Sequence, residues 1–152
     1  MSLNPRYAHT NIVARDWRAL ADFYIRVFDC VPVPPERNLS GDWVDSLTSV
    51  EGAHIHGIHL RLPGYGGEGP TLEIFQYDPE CEGPSPAINR PGLAHIAFAV
   101  DDVPAALDTV LDAGGSAVGE TVTATITGAG SITLVYAADP EGNIIELQQW
   151  ER

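Results

Sequence analysis

Two histidines and two glutamates occupy matching positions in the two halves of the chain. His9 and His95 each follow an alanine and begin an alternating segment, and Glu73 and Glu146 each lie in a segment that ends in an aromatic residue. Imidazole nitrogens and carboxylate oxygens are suitable ligands for Zn, Ni, Co, Mn and Fe(II). The repeated set therefore predicts one divalent metal ion per chain. The two carboxylates are also candidate general bases.

The alternation of side chains predicts which face of a sheet these residues occupy. Successive side chains of a strand point to opposite faces, so the neighbours of each ionisable residue indicate its own face. Glu73 alternates with Leu72 and Ile74, which are suited to cover a helix. The neighbours of the other three follow the same pattern. All four are expected on the face away from the helices, where they would line one cleft if the two sheets join.

The same face is predicted to supply substrate-binding residues. Asn11 and Phe75 are in phase with the first histidine and the first glutamate. In residues 56–62 the alternation turns His59 and Arg61 toward the cleft. We expect His59 to bind or protonate a substrate and Arg61 to hold a carboxylate. The alternatives are a wall residue without a catalytic role for His59, and an ion pair with an acidic neighbour for Arg61.

Each half is predicted to fold as a strand, a helix and then three strands. A helix over about 16–28 follows from an acidic cap and apolar residues at three- and four-residue spacing, and another over about 102–113 ends at two glycines. In residues 31–50, three prolines are expected to break regular structure before a short helix at about 41–48. The predicted strands cover about 10–14, 56–62, 71–77, 96–100, 116–125, 132–138 and 143–150.

Length and composition are typical of a folded domain. The chain has 152 residues, of which 44% are hydrophobic and 19% are charged. We predict the α+β class, with two tandem βαβββ modules that form a curved mixed sheet around a metal-binding cleft. The modules would occupy about 6–80 and 92–150 of a single domain over 1–152, joined by a linker at 81–91.

Charge and residue usage exclude several classes of function. The net charge of −13 would repel nucleic acid and anionic membrane surfaces. All eight basic residues are arginines, which excludes chemistry that needs a lysine amine, such as a Schiff base. Two cysteines without C-x-x-C spacing indicate a reduced compartment. No apolar segment approaches the roughly 20 residues of a membrane helix. We expect a cytoplasmic protein.

The duplicated unit resembles the vicinal oxygen chelate superfamily, which includes glyoxalase I, methylmalonyl-CoA epimerase, extradiol dioxygenases and the fosfomycin and bleomycin resistance proteins. The resemblance extends from about Tyr7 to Trp150 and is carried mainly by residues 92–98 (GLAHIAF) and 139–147 (DPEGNIIEL). The order His, Glu, His, Glu is similar to the glyoxalase I pattern. The resemblance implies a metal-dependent enzyme, closest to glyoxalase I-like and methylmalonyl-CoA epimerase-like members, and a homodimer. Arg61 is the one cation expected near the site.

The number of coordination positions that the protein leaves open on the metal ion separates the enzyme hypotheses. Four protein ligands on an octahedral ion leave room for two vicinal oxygens of a substrate. That favours lyase or isomerase chemistry of glyoxalase type next to a carbonyl, with Glu73 or Glu146 as the base. One alternative is an Fe(II) extradiol dioxygenase in which His9, His95 and Glu146 bind the metal. Another is a non-catalytic protein that binds a drug or metabolite. Each hypothesis has a small-molecule ligand, and none has a nucleic-acid or membrane partner.

Overall fold

The computed structural model describes residues 3–151. The chain divides into two compact units between Glu82 and Gly83, a boundary inside the predicted linker. Each unit contains one mixed sheet, of four strands in unit 1 and five in unit 2. The predicted α+β class is confirmed. The single domain over residues 1–152 stays a prediction.

Both units begin with a strand and a helix and continue with further strands. Among the described residues, no helix is both long and apolar enough to span a membrane. The elements of unit 1 are β1 (His9–Val13), α1 (Trp17–Phe28), β2 (Val31–Ser40), α2 (Asp42–Thr48), β3 (His54–Arg61), a 3₁₀ turn (Gly66–Glu68) and β4 (Thr71–Asp78). The elements of unit 2 are β5 (His95–Ala99), α3 (Val103–Asp112), β6 (Ser116–Ala117), β7 (Val122–Ile126), β8 (Gly130–Ala138) and β9 (Ile144–Glu151).

The sheet of unit 1 has the strand order β1-β4-β3-β2, in which β1 runs parallel to β4 and the other pairs are antiparallel. Helix α1 begins where the Asp16 carboxylate accepts a hydrogen bond from the Ala19 amide at 3.1 Å. Its apolar side packs on one face of the sheet, where Leu60 and Ile74 are fully buried. The opposite face carries the ionisable residues, as the alternation predicts.

Helix α2 contributes to a small core that includes side chains from β3 and β4. Val44 is buried together with Ala53, Ile55 and Phe75. The loop after α2 is closed by Asp45, whose carboxylate accepts hydrogen bonds from two backbone amides, at 2.9 and 3.1 Å. This short helix is therefore firmly attached to the sheet.

The prediction that prolines break regular structure after α1 is wrong. Residues 31–40 form β2, although the pairing with β3 shifts between Val33 and Arg37. Proline cannot donate a ladder hydrogen bond, but an edge strand leaves one side unpaired and an irregularity leaves residues unpaired on both sides. β2 is an edge strand, so it tolerates the prolines. The short helix predicted at about 41–48 is confirmed as α2.

The strand predicted over 116–125 is also wrong as a single element. It is divided into β6 and β7, which both pair with β8. Between them the Val118 and Gly119 amides both donate to the Tyr136 carbonyl, at 2.9 and 3.3 Å. Two residues opposite one acceptor is the pattern of a bulge, and the chain leaves the ladder there.

The turn between β8 and β9 depends on the buried carboxylate of Asp139, which is 2% exposed. Its Oδ1 accepts hydrogen bonds from the amides of Glu141 and Asn143, at 2.9 and 3.0 Å, and its Oδ2 accepts one from Asn143 Nδ2 at 2.9 Å. Without the carboxylate, these donors lose their partner inside the protein. A buried donor without a partner costs about 1–3 kcal/mol.

We predict that Asp139→Ala lowers the free energy of unfolding by about 2–3 kcal/mol. The measurement is urea denaturation of the full chain, in which the NMR signals of β8 and β9 report the unfolding of unit 2. Asp108→Ala removes the same charge from an exposed position of α3 and serves as the control. An equal effect of the two substitutions would contradict the role assigned to Asp139.

Candidate metal centre

Three side chains from adjacent strands converge on the face of the unit 1 sheet opposite α1. Glu73 on β4 lies directly opposite Asn11 on β1 and His59 on β3. Its Oε2 is 2.7 Å from His59 Nε2, and its Oε1 is 3.6 Å from His9 Nε2. One potential ligand atom from each of His9, His59 and Glu73 lies within 4.8 Å of the others. The two imidazoles meet edge to face, with ring centroids 5.5 Å apart.

The Glu73 carboxylate is held on both sides. It is 8% exposed, and Asn11 Nδ2 donates a hydrogen bond to its Oε1 at 2.8 Å. His59 Nε2 faces Oε2, while His59 Nδ1 is 3.0 Å from the Thr71 hydroxyl. A carboxylate only accepts hydrogen bonds, so Nε2 carries the proton and the hydroxyl donates to Nδ1. Glu73 is therefore fixed in orientation by two donors.

Burial and neighbouring charges determine the protonation of His59. Burial lowers the pKa of the imidazole, the Glu73 charge opposes this, and the charges of Arg37 and His9 lower it further. His59 is thus neutral at physiological pH and able to bind a metal ion through a nitrogen lone pair. Binding through Nε2 requires the other tautomer, and the Thr71 hydroxyl accommodates it because a hydroxyl also accepts.

Unit 2 repeats the strand register of this arrangement with different neighbours for the carboxylate, since Ala97 lies opposite Glu146 as Asn11 lies opposite Glu73. His95 pairs with the residue two positions before Glu146, as His9 pairs with the residue two positions before Glu73. Tyr136 lies opposite Glu146, in the place that His59 takes in unit 1, and contacts the His95 ring edge to face at 5.0 Å. Burial raises the pKa of Tyr136 most, and the negative charge of Glu146 raises it further. The tyrosine therefore stays neutral beside Glu146.

The structure thus brings the predicted ligands together in pairs. His9 and Glu73 converge in unit 1, and His95 and Glu146 lie on neighbouring strands of unit 2. Glu146 also accepts a hydrogen bond from Gln148 Nε2 at 2.7 Å. That all four bind one ion stays a prediction. The sequence reasoning placed His59 on the correct face but as a substrate-binding residue, and it missed Tyr136, whose position follows from the repeat once β8 is aligned with β3.

A cavity of about 420 Å³ opens beside the three converging side chains. Two predicted substrate-binding residues, His59 and Phe75, line it, whereas Asn11 contacts Glu73 and Arg61 does not belong to the lining. The cation in the lining is Arg37 of β2 instead. The sequence reasoning missed it because β2 was expected to be irregular. The lining consists of His9, Arg37, Leu39, Trp43, Val44, Leu47, Thr48, Ile55, His59, Glu73, Phe75 and Tyr77.

Comparison with known families agrees with the duplicated fold. The model of the Glyoxalase/Bleomycin resistance protein/Dioxygenase superfamily matches residues 6–147. The chain belongs to this superfamily. Membership supports a metal-binding vicinal oxygen chelate fold, and the donors of His9, His59 and Glu73 are of the kind that such a fold uses.

Solved structures of the superfamily share the fold of this chain. A glyoxalase family protein from Bacillus cereus aligns with a TM-score of 0.75 and 17% identity, and covers 100% of this chain and 97% of that one. The glyoxalase family protein from Enterococcus faecalis aligns with a TM-score of 0.60 and 20% identity, and the alignment covers 97% of this chain and 99% of that protein. A glyoxylase/bleomycin resistance protein/dioxygenase domain from Frankia sp. aligns with a TM-score of 0.58 and 19% identity, and the alignment covers 99% of this chain and 95% of that domain. No curated protein matches the chain significantly.

Proposed function

We propose that this superfamily member is a divalent-metal-dependent lyase or isomerase of glyoxalase type that moves a proton next to a carbonyl of a small oxygenated substrate. The observation that carries the proposal is the convergence of His9, His59 and Glu73, with ligand atoms within 4.8 Å of one another. Two imidazoles and a carboxylate fit Zn, Ni, Co, Mn or Fe. When bound, such an ion stabilises negative charge that develops on a substrate oxygen.

Glu73 is the proposed base. Its two oxygens are fixed by Asn11 and His59, so the carboxylate is oriented before a substrate arrives. It takes a proton from the carbon next to the carbonyl and returns it to the same or the neighbouring carbon, which gives epimerisation or isomerisation. Without the ion, the His59 Nε2–H orients the carboxylate; if His59 Nε2 binds the ion, Asn11 Nδ2 is the donor that continues to orient Glu73. Glu146, the equivalent residue of unit 2, is the alternative base.

A second candidate function follows from the composition of the same group. Two histidines and one carboxylate also form the ligand set of non-haem Fe(II) oxygenases. In this hypothesis the triad is His9, His59 and Glu73, rather than the set with His95 and Glu146 that the sequence suggested. The protein would then be an extradiol-type dioxygenase, and Glu73 would bind the metal instead of moving a proton.

The two functions are separated by proton exchange and oxygen consumption. Chelator-treated and metal-loaded protein are incubated in D₂O with a panel of 2-oxo aldehydes, 2-oxo acids and 2-hydroxy acids, and ¹H NMR follows the protons next to the carbonyl. We expect exchange that is lost with chelator and restored by a divalent ion. Oxygen consumption with Fe(II) and a catechol, without such exchange, would favour the dioxygenase.

Three further predictions belong to this proposal. The set His9, Glu73, His95 and Glu146 is proposed as the four-ligand alternative to the triad of His9, His59 and Glu73. The protein is also proposed to be a homodimer, and it is proposed to act in the cytoplasm on a small molecule. The basis for the dimer is that open sheet edges favour pairing with a second chain. A monomeric mass in solution at micromolar concentration would contradict it.

A further inference from the structure

The cavity of unit 1 has a polar floor and an apolar wall. Its floor contains His9, His59 and Glu73, which the proposed function already uses. Its wall contains Trp43 and Leu47 of α2, which are 57% and 74% exposed. Large apolar side chains that remain exposed beside a cavity provide the area that an apolar group of a ligand would remove from water.

Arg37 brings a positive charge into the same cavity. Its guanidinium donates a hydrogen bond to the Pro35 carbonyl, and among residues 3–151 no carboxylate oxygen lies within 4.0 Å of it. Two other arginines of unit 1 are paired with carboxylates: Arg18 contacts Glu36 at 2.9 Å and Arg26 contacts Asp22 at 3.4 Å. Arg37 thus has its charge available for a ligand.

The strand register explains why the guanidinium has access to the cavity. Arg37 lies opposite Gly57 on β3, two positions from His59. Gly57 has no side chain to cover the sheet at this point, and a Cβ there would lie 2.0 Å from the Ile74 carbonyl oxygen and 2.7 Å from Phe75 Cδ1. The Phe75 ring therefore occupies the space over Gly57, next to the place where Arg37 projects.

We propose that the cavity recognises a carboxylate with an aryl or branched alkyl tail: Arg37 binds the carboxylate, and Trp43, Leu47 and Phe75 contact the tail. As a substrate class this rests on the proposed function, in which the oxygens of the substrate lie near His9 and Glu73. Guanidinium and carboxylate form two parallel charge-assisted hydrogen bonds, which fixes the orientation of the ligand. The apolar wall selects against small hydrophilic acids.

Because the net charge of the chain is negative, the affinity for a carboxylate ligand depends strongly on the contact with Arg37. At −13 the protein does not attract an anion from a distance. Affinity for the carboxylate therefore comes from the local contact with Arg37. No long-range attraction compensates for the loss of affinity when Arg37 is replaced.

Binding is tested on chelator-treated protein, without any metal, by ¹H–¹⁵N NMR titration. The probes are 3-phenylpropanoate, the neutral 3-phenylpropan-1-ol, and propanoate, which lacks the ring. We expect 3-phenylpropanoate to shift the backbone amides of Trp43 and Leu47 and the Trp43 indole N–H, and the other two probes to bind at least about 10-fold more weakly. Equal affinity for the acid and the alcohol, or shifts confined to residues outside the cavity, would overturn the proposal.

Three arginine variants locate the contact. Arg37→Gln should weaken binding of 3-phenylpropanoate at least about 10-fold. Arg26→Gln removes the same charge from the exposed side of α1 and should leave the affinity unchanged. Arg61→Gln tests the cation that the sequence suggested, and its Nε is buried without a hydrogen-bond partner. A loss with Arg61→Gln and none with Arg37→Gln would overturn the assignment. The spectra themselves report whether each variant is folded.

Metal uptake by the same preparations separates this inference from the proposed function. Metal binding without binding of 3-phenylpropanoate would refute the substrate class and leave the metal-dependent function in place. Arg37-dependent binding of 3-phenylpropanoate without metal uptake would refute the metal-dependent function and leave the carboxylate site in place.

Discussion

Glu73→Gln is expected to reduce turnover at least about 100-fold, the typical loss when a general base is removed. The amide has nearly the shape of the carboxylate but cannot take a proton from carbon. Its measurement is the rate of metal-dependent exchange next to the carbonyl, made at a metal concentration that saturates the variant. Glu51→Gln, in an exposed turn of unit 1, is the matched control and should be fully active.

The hydrogen bonds around Glu73 indicate that this variant will fold. Glu73 accepts from Asn11 at Oε1 and from His59 at Oε2. A glutamine can direct its carbonyl to Asn11 and its amino group to His59 Nε2, provided that His59 adopts the other tautomer and donates from Nδ1 to the Thr71 hydroxyl. A folded variant with full turnover would show that Glu73 is not the base. Glu146→Gln would then be the next variant to measure.

His9→Ala is expected to weaken metal binding at least about 100-fold. Partners that only orient a metal ligand contribute about 10–100-fold, so the loss of a ligand should reach or exceed that range. His9 is suited to direct binding because it lies on the edge strand β1 and its side chain is 43% exposed. Calorimetric titration of chelator-treated protein with Zn²⁺ or Co²⁺ measures the change.

Two other histidine variants complete the comparison. His56→Ala removes an imidazole from the opposite face of β3 and should leave the metal affinity unchanged. His59→Ala distinguishes two roles: a loss of 100-fold or more indicates a ligand, and a smaller loss indicates a residue that orients Glu73. Equal affinities of the His9→Ala variant and the wild type would exclude His9 as a ligand.

The repeat and the alternation of side chains predicted the parts of the site that depend on regular structure. The pattern of apolar neighbours determines which face of the sheet a strand residue occupies. The repeat predicted one histidine and one glutamate in each unit, and they lie on neighbouring strands: His9 and Glu73 in unit 1, and His95 and Glu146 in unit 2. Helix α1 begins next to the predicted acidic cap Asp16, and helix α3 begins close to the predicted start at Asp102, for a similar local reason. These features are encoded within a few residues.

The features that the sequence did not reveal depend on pairing between distant segments. Arg37 enters the cavity only because an irregular edge strand rich in proline pairs with β3, and no local pattern predicts that register. The direct contact between His59 and Glu73 needs the alignment of β3 with β4. Tyr136 was overlooked because a tyrosine has no obvious likeness to a histidine until the two sheets are superimposed strand by strand.

Metal analysis of the purified protein tests the central claim most directly. The protein is prepared without chelator, its metal content is determined by mass spectrometry, and the stripped protein is then titrated with Zn, Ni, Co, Mn and Fe(II). The account predicts about one divalent ion per chain, bound by the wild type and weakened by His9→Ala but not by His56→Ala. A protein that neither carries nor takes up any of these ions would contradict it.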